Sequence, residues 1–229
     1  MDGIDLDFEG IQSHEQWKSY LKFILTASTT MKQHGLLLTV ALHPGQLLPA
    51  KVCESLDRVH VMTYDMMNRS INNDANHRRK KHHASMHSVQ EAITSFIQNG
   101  CPPSKLVMGI PAYGRHGQNM GSVKTYSEII DGIISEEGSN NNNHEILKTV
   151  QSTNSWKGYQ FDSPNDIREK FKYAIQTGLG GVFIWELGQD KQIEGAELLE
   201  DVILEIQFPG QDKQLVNSVR TIDVKKEFY

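Results

Sequence analysis

Five short runs rich in apolar and β-branched residues, separated by stretches of helical periodicity, constrain this chain more than any other feature. They cover residues 4–8, 36–42, 59–64, 106–111 and 181–185, lengths suited to buried strands. After the first run, Trp17, Tyr20, Leu21, Ile24 and Leu25 recur at helical spacing behind Ser13, and Gln16 completes a capping box. Further helices are expected over 89–98 before Asn99-Gly100 and over 167–176 before Gly178. A last one, over 193–206, puts Ile193, Ala196, Leu199, Val202, Ile203 and Ile206 on one face. Strand alternating with helix implies parallel strands joined by crossover helices, and 229 residues suffice for one large domain of that kind.

Charge and hydropathy narrow the partners. A net charge of -5 argues against a nucleic-acid or anionic-membrane surface. No apolar run approaches the ~20 residues of a membrane span. The opening Met1-Asp2-Gly3-Ile4-Asp5 lacks the basic and apolar stretches of a secretory signal. Residues 72–87, with Arg78-Arg79-Lys80-Lys81-His82-His83, read as a solvated loop. A metal site from His77, His82, His83 and His87 is disfavoured by their spacing. Residues 116–157 form an insertion whose Asn140-Asn141-Asn142-Asn143 run reads as a mobile loop, and 208–229 is a polar tail after Phe208-Pro209-Gly210. Cys53, placed after the second run, and Cys101, placed before the fourth, are expected at opposite ends of the strands, beyond the ~7 Å Cα limit for a disulfide.

The chemistry concentrates in the first run. Asp5, Asp7 and Glu9 alternate with Ile4, Leu6 and Phe8, so on a strand the three carboxylates share one face at ~6.6 Å intervals while the apolar trio packs against helices. Crowding like charges on a partly buried face raises the pKa of at least one, the condition for a carboxylic acid that donates a proton near neutrality. The other runs end in residues a core would not choose: Tyr64-Asp65, Tyr113-Gly114-Arg115 and Trp185-Glu186. Parallel strands bring these groups to one carboxyl-end face, where barrel enzymes build their sites. Acids beside an aromatic wall suit a sugar ring, whose C–H face stacks on an indole while its hydroxyls take hydrogen bonds.

These segments resemble the family 18 glycoside hydrolases, the chitinases and their relatives. Asp2-Gly3-Ile4-Asp5-Leu6-Asp7-Phe8-Glu9 is similar to that family's DxxDxDxE signature on the fourth barrel strand. Met62-Thr63-Tyr64-Asp65 is similar to its MxYD on the sixth, Gly109-Ile110-Pro111-Ala112-Tyr113-Gly114-Arg115 to its GxPxYGR on the seventh, and Gly180-Gly181-Val182-Phe183-Ile184-Trp185 to its eighth. Phe161-Asp162-Ser163-Pro164 with Ile167, Lys170 and Tyr173-Ala174 resembles the segment before that eighth strand. The resemblance implies an α/β fold of the (β/α)8 TIM-barrel type, with strands four to eight in residues 1–207 and the first three βα units absent. It implies retaining hydrolysis of β-1,4-linked N-acetylglucosamine polymers, in which the substrate's acetamido oxygen is the nucleophile.

On that resemblance Glu9 is the general acid and later the base. Asp7 orients the acetamido group and stabilises the oxazolinium intermediate, with Asp5 holding Asp7 by a shared proton and Asp2 as structural support. Tyr64 and Asp65, with Met62 before them, contact the same acetamido group; Trp185 floors the subsite of the cleaved sugar; Tyr113 and Arg115 line the cleft. No metal or organic cofactor is implied. The implied partners are chitin or N-acetylglucosamine oligosaccharides, neither nucleic acid nor membrane, and the implied form is an extracellular protein, monomeric when complete. Phe8-Glu9-Gly10 stands where many relatives have Trp-Glu-Tyr, and the short insertion implies a shallow cleft that favours internal cuts. Three alternatives stay open: an inactive truncated product, a chitinase-like lectin, against which the presence of Glu9 counts, and an endo-N-acetylglucosaminidase acting on glycans.

Overall fold

The structure, a computed structural model, describes residues 2–67, 82–119, 121–137, 143–191 and 198. The five apolar runs become β1 (Gly3–Asp7), β2 (Leu37–Leu42), β3 (Arg58–Val61), β4 (Leu106–Pro111) and β9 (Gly181–Trp185), hydrogen-bonded in the order β1-β2-β3-β4-β9 with all neighbours parallel. The crossovers carry α1 (His14–Gln33), α2 (Ala50–Ser55), α3 (Met86–Gln98) and α6 (Pro164–Thr177). Helix α1 starts where its sequence says it should: Gln16 N–H donates to Ser13 Oγ at 3.1 Å, and Ser13 N–H donates to Gln16 Oε1 at 3.1 Å. The same reciprocal cap joins Ser163 and Asp166 at the start of α6, with Pro164 in its first turn, and the helix stops at Gly178, whose φ of 69° is the left-handed conformation glycine adopts freely.

Register decides which side chains see the core. Leu6, Val40, Val59 and Leu106 lie in one row across the first four strands, and Leu42, Val61 and Met108 in the next such row. These residues pack on Ile24, Val52, Leu56, Ile93 and Phe96 of the helical layer. The intervening positions of β1, β2 and β3, including Asp5, Asp7, Thr39 and His60, therefore point to the opposite face of the sheet. Ile4 and Phe8 depart from the sequence reading: they are 47% and 52% exposed, because β1 is an outer strand with β2 as its one strand neighbour among the described residues. Phe8 keeps a tilted contact with Tyr20 at 5.7 Å.

Three other expectations are corrected. Cys53 and Cys101 form a disulfide, with Cα atoms 5.4 Å apart. Cys53 sits in α2, which has already carried the chain back toward the amino end of β3, and Cys101 follows α3 at the amino end of β4, so both lie at the same end of neighbouring strands. Closing 48 residues of separation stabilises the fold by about 4 kcal/mol on the chain-entropy account. The segment after β4 is a folded α+β unit rather than a short loop-bearing insertion. Strands β5 (Tyr113–His116), β6 (Val123–Thr125), β7 (Ser155–Trp156) and β8 (Tyr159–Gln160) form an antiparallel sheet of order β6-β5-β8-β7, with α4 (Tyr126–Glu137) and α5 (Asn143–Ser152) between β6 and β7. Tyr126, Ile129, Ile130, Val150 and Phe161 of this segment share one core with Ile110 of β4 and with Ile167 and Phe171 of α6. Finally, the stretch read as a solvated loop ends in residues that are not solvated, since His83 and Ala84 are fully buried. Residues 68–81, with His77, lie outside the described residues, as do Asn140-Asn141-Asn142, all of 193–206 but Leu198, and 208–229.

Candidate active site

The carboxyl ends of the parallel strands meet at a cleft of about 220 Å³. Its lining includes Asp7 and Glu9 from β1 and the turn beyond it, Met62, Tyr64 and Asp65 from the end of β3, Tyr113 and Arg115 from β5, and Trp185 from the end of β9. His43, Val123 and Gln189 complete it. All six residues expected on the binding side therefore converge with two of the three acids. Asp5 lies one pleat deeper on the same strand face, and Asp2 is exposed at the opposite, amino end of β1, where its backbone carbonyl accepts the Leu37 N–H at 2.9 Å.

One wall is braced from several sides. Asp65 has a φ of 58°, a left-handed conformation costly for a residue with a side chain. Its carboxylate accepts from Tyr113 Oη at 2.9 Å and from Arg115 Nη2 at 2.5 Å, with a second contact from Arg115 Nε. His83 Nδ1 lies 3.3 Å from Asp65 Oδ1, and the Met66 N–H donates to the His83 carbonyl at 2.9 Å. Burial alone would raise the Asp65 pKa, but the hydrogen bonds from His83, Arg115 and Tyr113 and the guanidinium charge hold it far below the carboxylate range. Burial, followed by the charge of Asp65, pushes the Tyr64 and Tyr113 phenols up, so both are neutral donors at any working pH. Tyr64 meets Tyr113 and Phe183 edge to face at 6.1 and 6.2 Å, over Gly109, where a Cβ would sit 2.8 Å from both Tyr64 and Phe183.

The acidic strand is held differently. Asp5 Oδ1 accepts from Thr39 Oγ1 and lies 3.1 Å from His60 Nδ1. Burial pushes its pKa up, yet the His60 and Thr39 contacts outweigh that, and the result is below the ordinary value. Asp7 goes the other way: burial and the charges of Glu9 and Asp5 raise it, against a smaller opposing effect of His43. Crowding on the strand thus raises one carboxyl, the one between the other two. Strand β1 stops at Asp7, so Glu9 reaches the cleft from the following turn, its side chain 54% exposed and its Oε2 2.6 Å from His43 Nε2.

Sequence reasoning passed over four neighbours. His43 and His60 contact Glu9 and Asp5 directly, His83 braces Asp65, and Gln189 lines the cleft. The position of His43 was legible, because a polar residue just past a buried parallel strand lies on the functional face. His60 was not, because it alternates with buried Val59 and Val61 in a run that reads as core. Among the described residues no three His, Cys, Asp or Glu side chains group as a metal site.

The profile of the glycosyl hydrolases family 18 matches residues 1–190. Among curated proteins, the chain is 28% identical to endochitinase 1 of Metarhizium robertsii over 66% of its own length and 39% of that protein. It is 27% identical to chitinase 1 of Aphanocladium album over 83% of its length and 52% of that protein. The chain thus spans about half or less of the length of these relatives. Its fold matches the GH18 chitinase ChiB of Flavobacterium johnsoniae with a TM-score of 0.68 at 22% identity, over 88% of this chain and 59% of that one. It matches the GH18 chitinase of Cycas revoluta in complex with (GlcNAc)3 with a TM-score of 0.63 at 24% identity, over 82% of this chain and 64% of that one. These solved folds are TIM barrels, of which the five parallel strands here form a part. The order of the strands, the acids on β1 and the profile match agree: the chain belongs to the glycosyl hydrolases, family 18.

Proposed function

We propose that this chain carries the acid-bearing half of a chitin-hydrolysing site that works by retention, with the substrate's own acetamido oxygen as nucleophile. Glu9 donates a proton to the glycosidic oxygen as the acetamido oxygen attacks C1, giving an oxazolinium ion and a free sugar end. The Glu9 carboxylate then takes a proton from a water that attacks C1, which restores the acetamido group and the acid. Asp7 accepts the acetamido N–H and offsets the positive charge, with Asp5 behind it. Tyr64 and Asp65 contact the acetamido group, while Trp185, 47% exposed at the mouth, offers its indole face to the sugar. Tyr113 and Arg115 line the other side, and the chain is extracellular, in keeping with a disulfide, which persists in oxidising compartments. No helix among the described residues is long and apolar enough to cross a membrane.

The observation that carries this reading is the placement of Asp7 and Glu9 across one cleft from Tyr64, Asp65 and Trp185. Two solved relatives with the same fold are described as complexes with (GlcNAc)3 and with NAG4. The test is release of a fluorogenic aglycone from N-acetylglucosamine oligomers, where Glu9→Gln is expected to lower turnover by roughly 10²- to 10⁴-fold with oligomer binding kept. Near wild-type turnover in that variant removes the mechanism. A second reading, carbohydrate binding without turnover, is favoured by the exposure of Glu9 just beyond the end of an outer strand. It predicts calorimetric binding of chitin oligomers by residues 1–229 with no released aglycone.

A further inference from the structure

The turn after β2 holds a residue that the proposed mechanism does not use. His43 is the first residue of a four-residue turn, His43-Pro44-Gly45-Gln46, in which the Gln46 N–H donates to the His43 carbonyl at 2.9 Å. The Gln46 side chain closes the turn a second time, its Oε1 accepting the His43 N–H at 2.7 Å. Proline in the second position presets the backbone for such a turn. The imidazole is thus delivered from a doubly closed turn on the strand beside β1, with Nε2 2.6 Å from Glu9 Oε2. Glu9 needs an outside hold, since it lies beyond the end of β1, where no strand ladder fixes its backbone. Glu9 has no other side-chain hydrogen bond or ion pair among the described residues.

We propose that His43 is a positioning residue for the acid: its Nε2 fixes the Glu9 carboxyl over the cleft, so that the glycosidic oxygen meets an oriented group rather than a swinging one. This deepens the hydrolytic reading and rests on it. The surface setting of the pair, with side chains 47% and 54% exposed, makes its contribution to stability small. Its effect belongs to orientation instead, where an ångström of misplacement is costly. Gln46 acts one step further back, by holding His43.

The test is a double-mutant cycle on residues 1–229 with a fluorogenic N-acetylglucosamine oligomer. His43→Ala is expected to lower kcat by about 10- to 10²-fold with KM within about twofold, the pattern left by losing an interaction made only in the transition state. His43→Gln, which keeps an N–H donor, recovers most of that loss. On a Glu9→Gln background His43→Ala costs nothing further, because its target is already gone. Equal losses from His43→Ala in both backgrounds, or no loss beside an impaired Glu9→Gln, overturn the positioning role and leave the mechanism standing. Full turnover in Glu9→Gln instead overturns the mechanism. A readout independent of turnover is the carboxyl carbon resonance of Glu9, expected to shift and broaden in His43→Ala; an unmoved resonance also overturns the proposal.

Discussion

The two sides of the cleft present carboxylates of the same chemical type whose pKa values move in opposite directions. On the side built by β3, β4 and β5, Asp65 is locked by Tyr113, Arg115 and His83, and its pKa is driven down. On the β1 side, the Asp7 carboxylate accepts no hydrogen bond among the described residues, and burial with two like-charged neighbours drives its pKa up. What differs is the number of elements packed against each. Asp65 is reached from three directions, whereas β1 is an outer strand with Ile4 and Phe8 half exposed. A carboxylate ringed by donors is fixed in advance, whereas Asp7, beside the proposed acid Glu9, is left to meet a substrate from an open setting. The braced side should therefore govern stability and the β1 side turnover.

The sharpest way to break that division is through ion pairs. Lys170 of α6 and Asp162 form a pair with both side chains 1% exposed, behind the braced wall. Lys170→Met leaves a buried carboxylate without its partner and is expected to cost about 3–5 kcal/mol, read as a lower urea midpoint at unchanged slope. His43→Ala, which removes an exposed pair on the β1 side, should stay within about 0.5 kcal/mol of the parent. Comparable losses from the two variants would erase the distinction between the sides.

A smaller effect comes from the strand that joins them. At Gly109 a Cβ would lie 2.8 Å from the rings of Phe183 and Tyr64 and 2.9 Å from the Val61 carbonyl, and the last of these is backbone that cannot swing aside. Gly109→Ala should cost about 1–3 kcal/mol by overpacking and should push Tyr64 into the cleft, raising KM for oligomers. An unchanged KM would mean that Tyr64 does not depend on this close approach.

Much of this is legible in the sequence. The capping box of α1, the stop of α6 at Gly178 and the five parallel strands rest on local chemistry that a sequence displays directly, although β1 and β9 are less buried than their apolar runs imply. Met62, Tyr64, Asp65, Tyr113, Arg115 and Trp185 were legible as a group because parallel strands must deliver their carboxyl ends to one face. The disulfide was not, since Cys53 had to be placed on a crossover helix rather than on the strand before it. The α+β unit was missed because β7 and β8 are two residues each, too short for any periodicity to register. His83 was read with the charge run beside it, while its burial depends on packing against Tyr113, far away in sequence.

The finest test uses pH, because the two carboxylates contribute to stability with opposite sign. Asp65 has a folded pKa below its ordinary 3.8, so its stabilisation is complete above that value and is lost as pH falls through it toward the folded value. Asp7 has a folded pKa above 3.8, so a penalty builds as pH rises from 3.8 through the folded value, is complete above it, and vanishes on acidification. Asp7→Asn should therefore raise stability at neutral pH, by no more than a few tenths of a kcal/mol given how open β1 is to solvent, and leave it unchanged below about pH 3. Asp65→Asn should lower stability at neutral pH and flatten its fall below about pH 4, in a series run from pH 7 downward. Unfolding midpoints of the three proteins across that range decide the matter. If Asp7→Asn were destabilising at pH 7, the carboxylate would have a hidden partner, and the contrast between the two sides of the cleft would be one of degree alone.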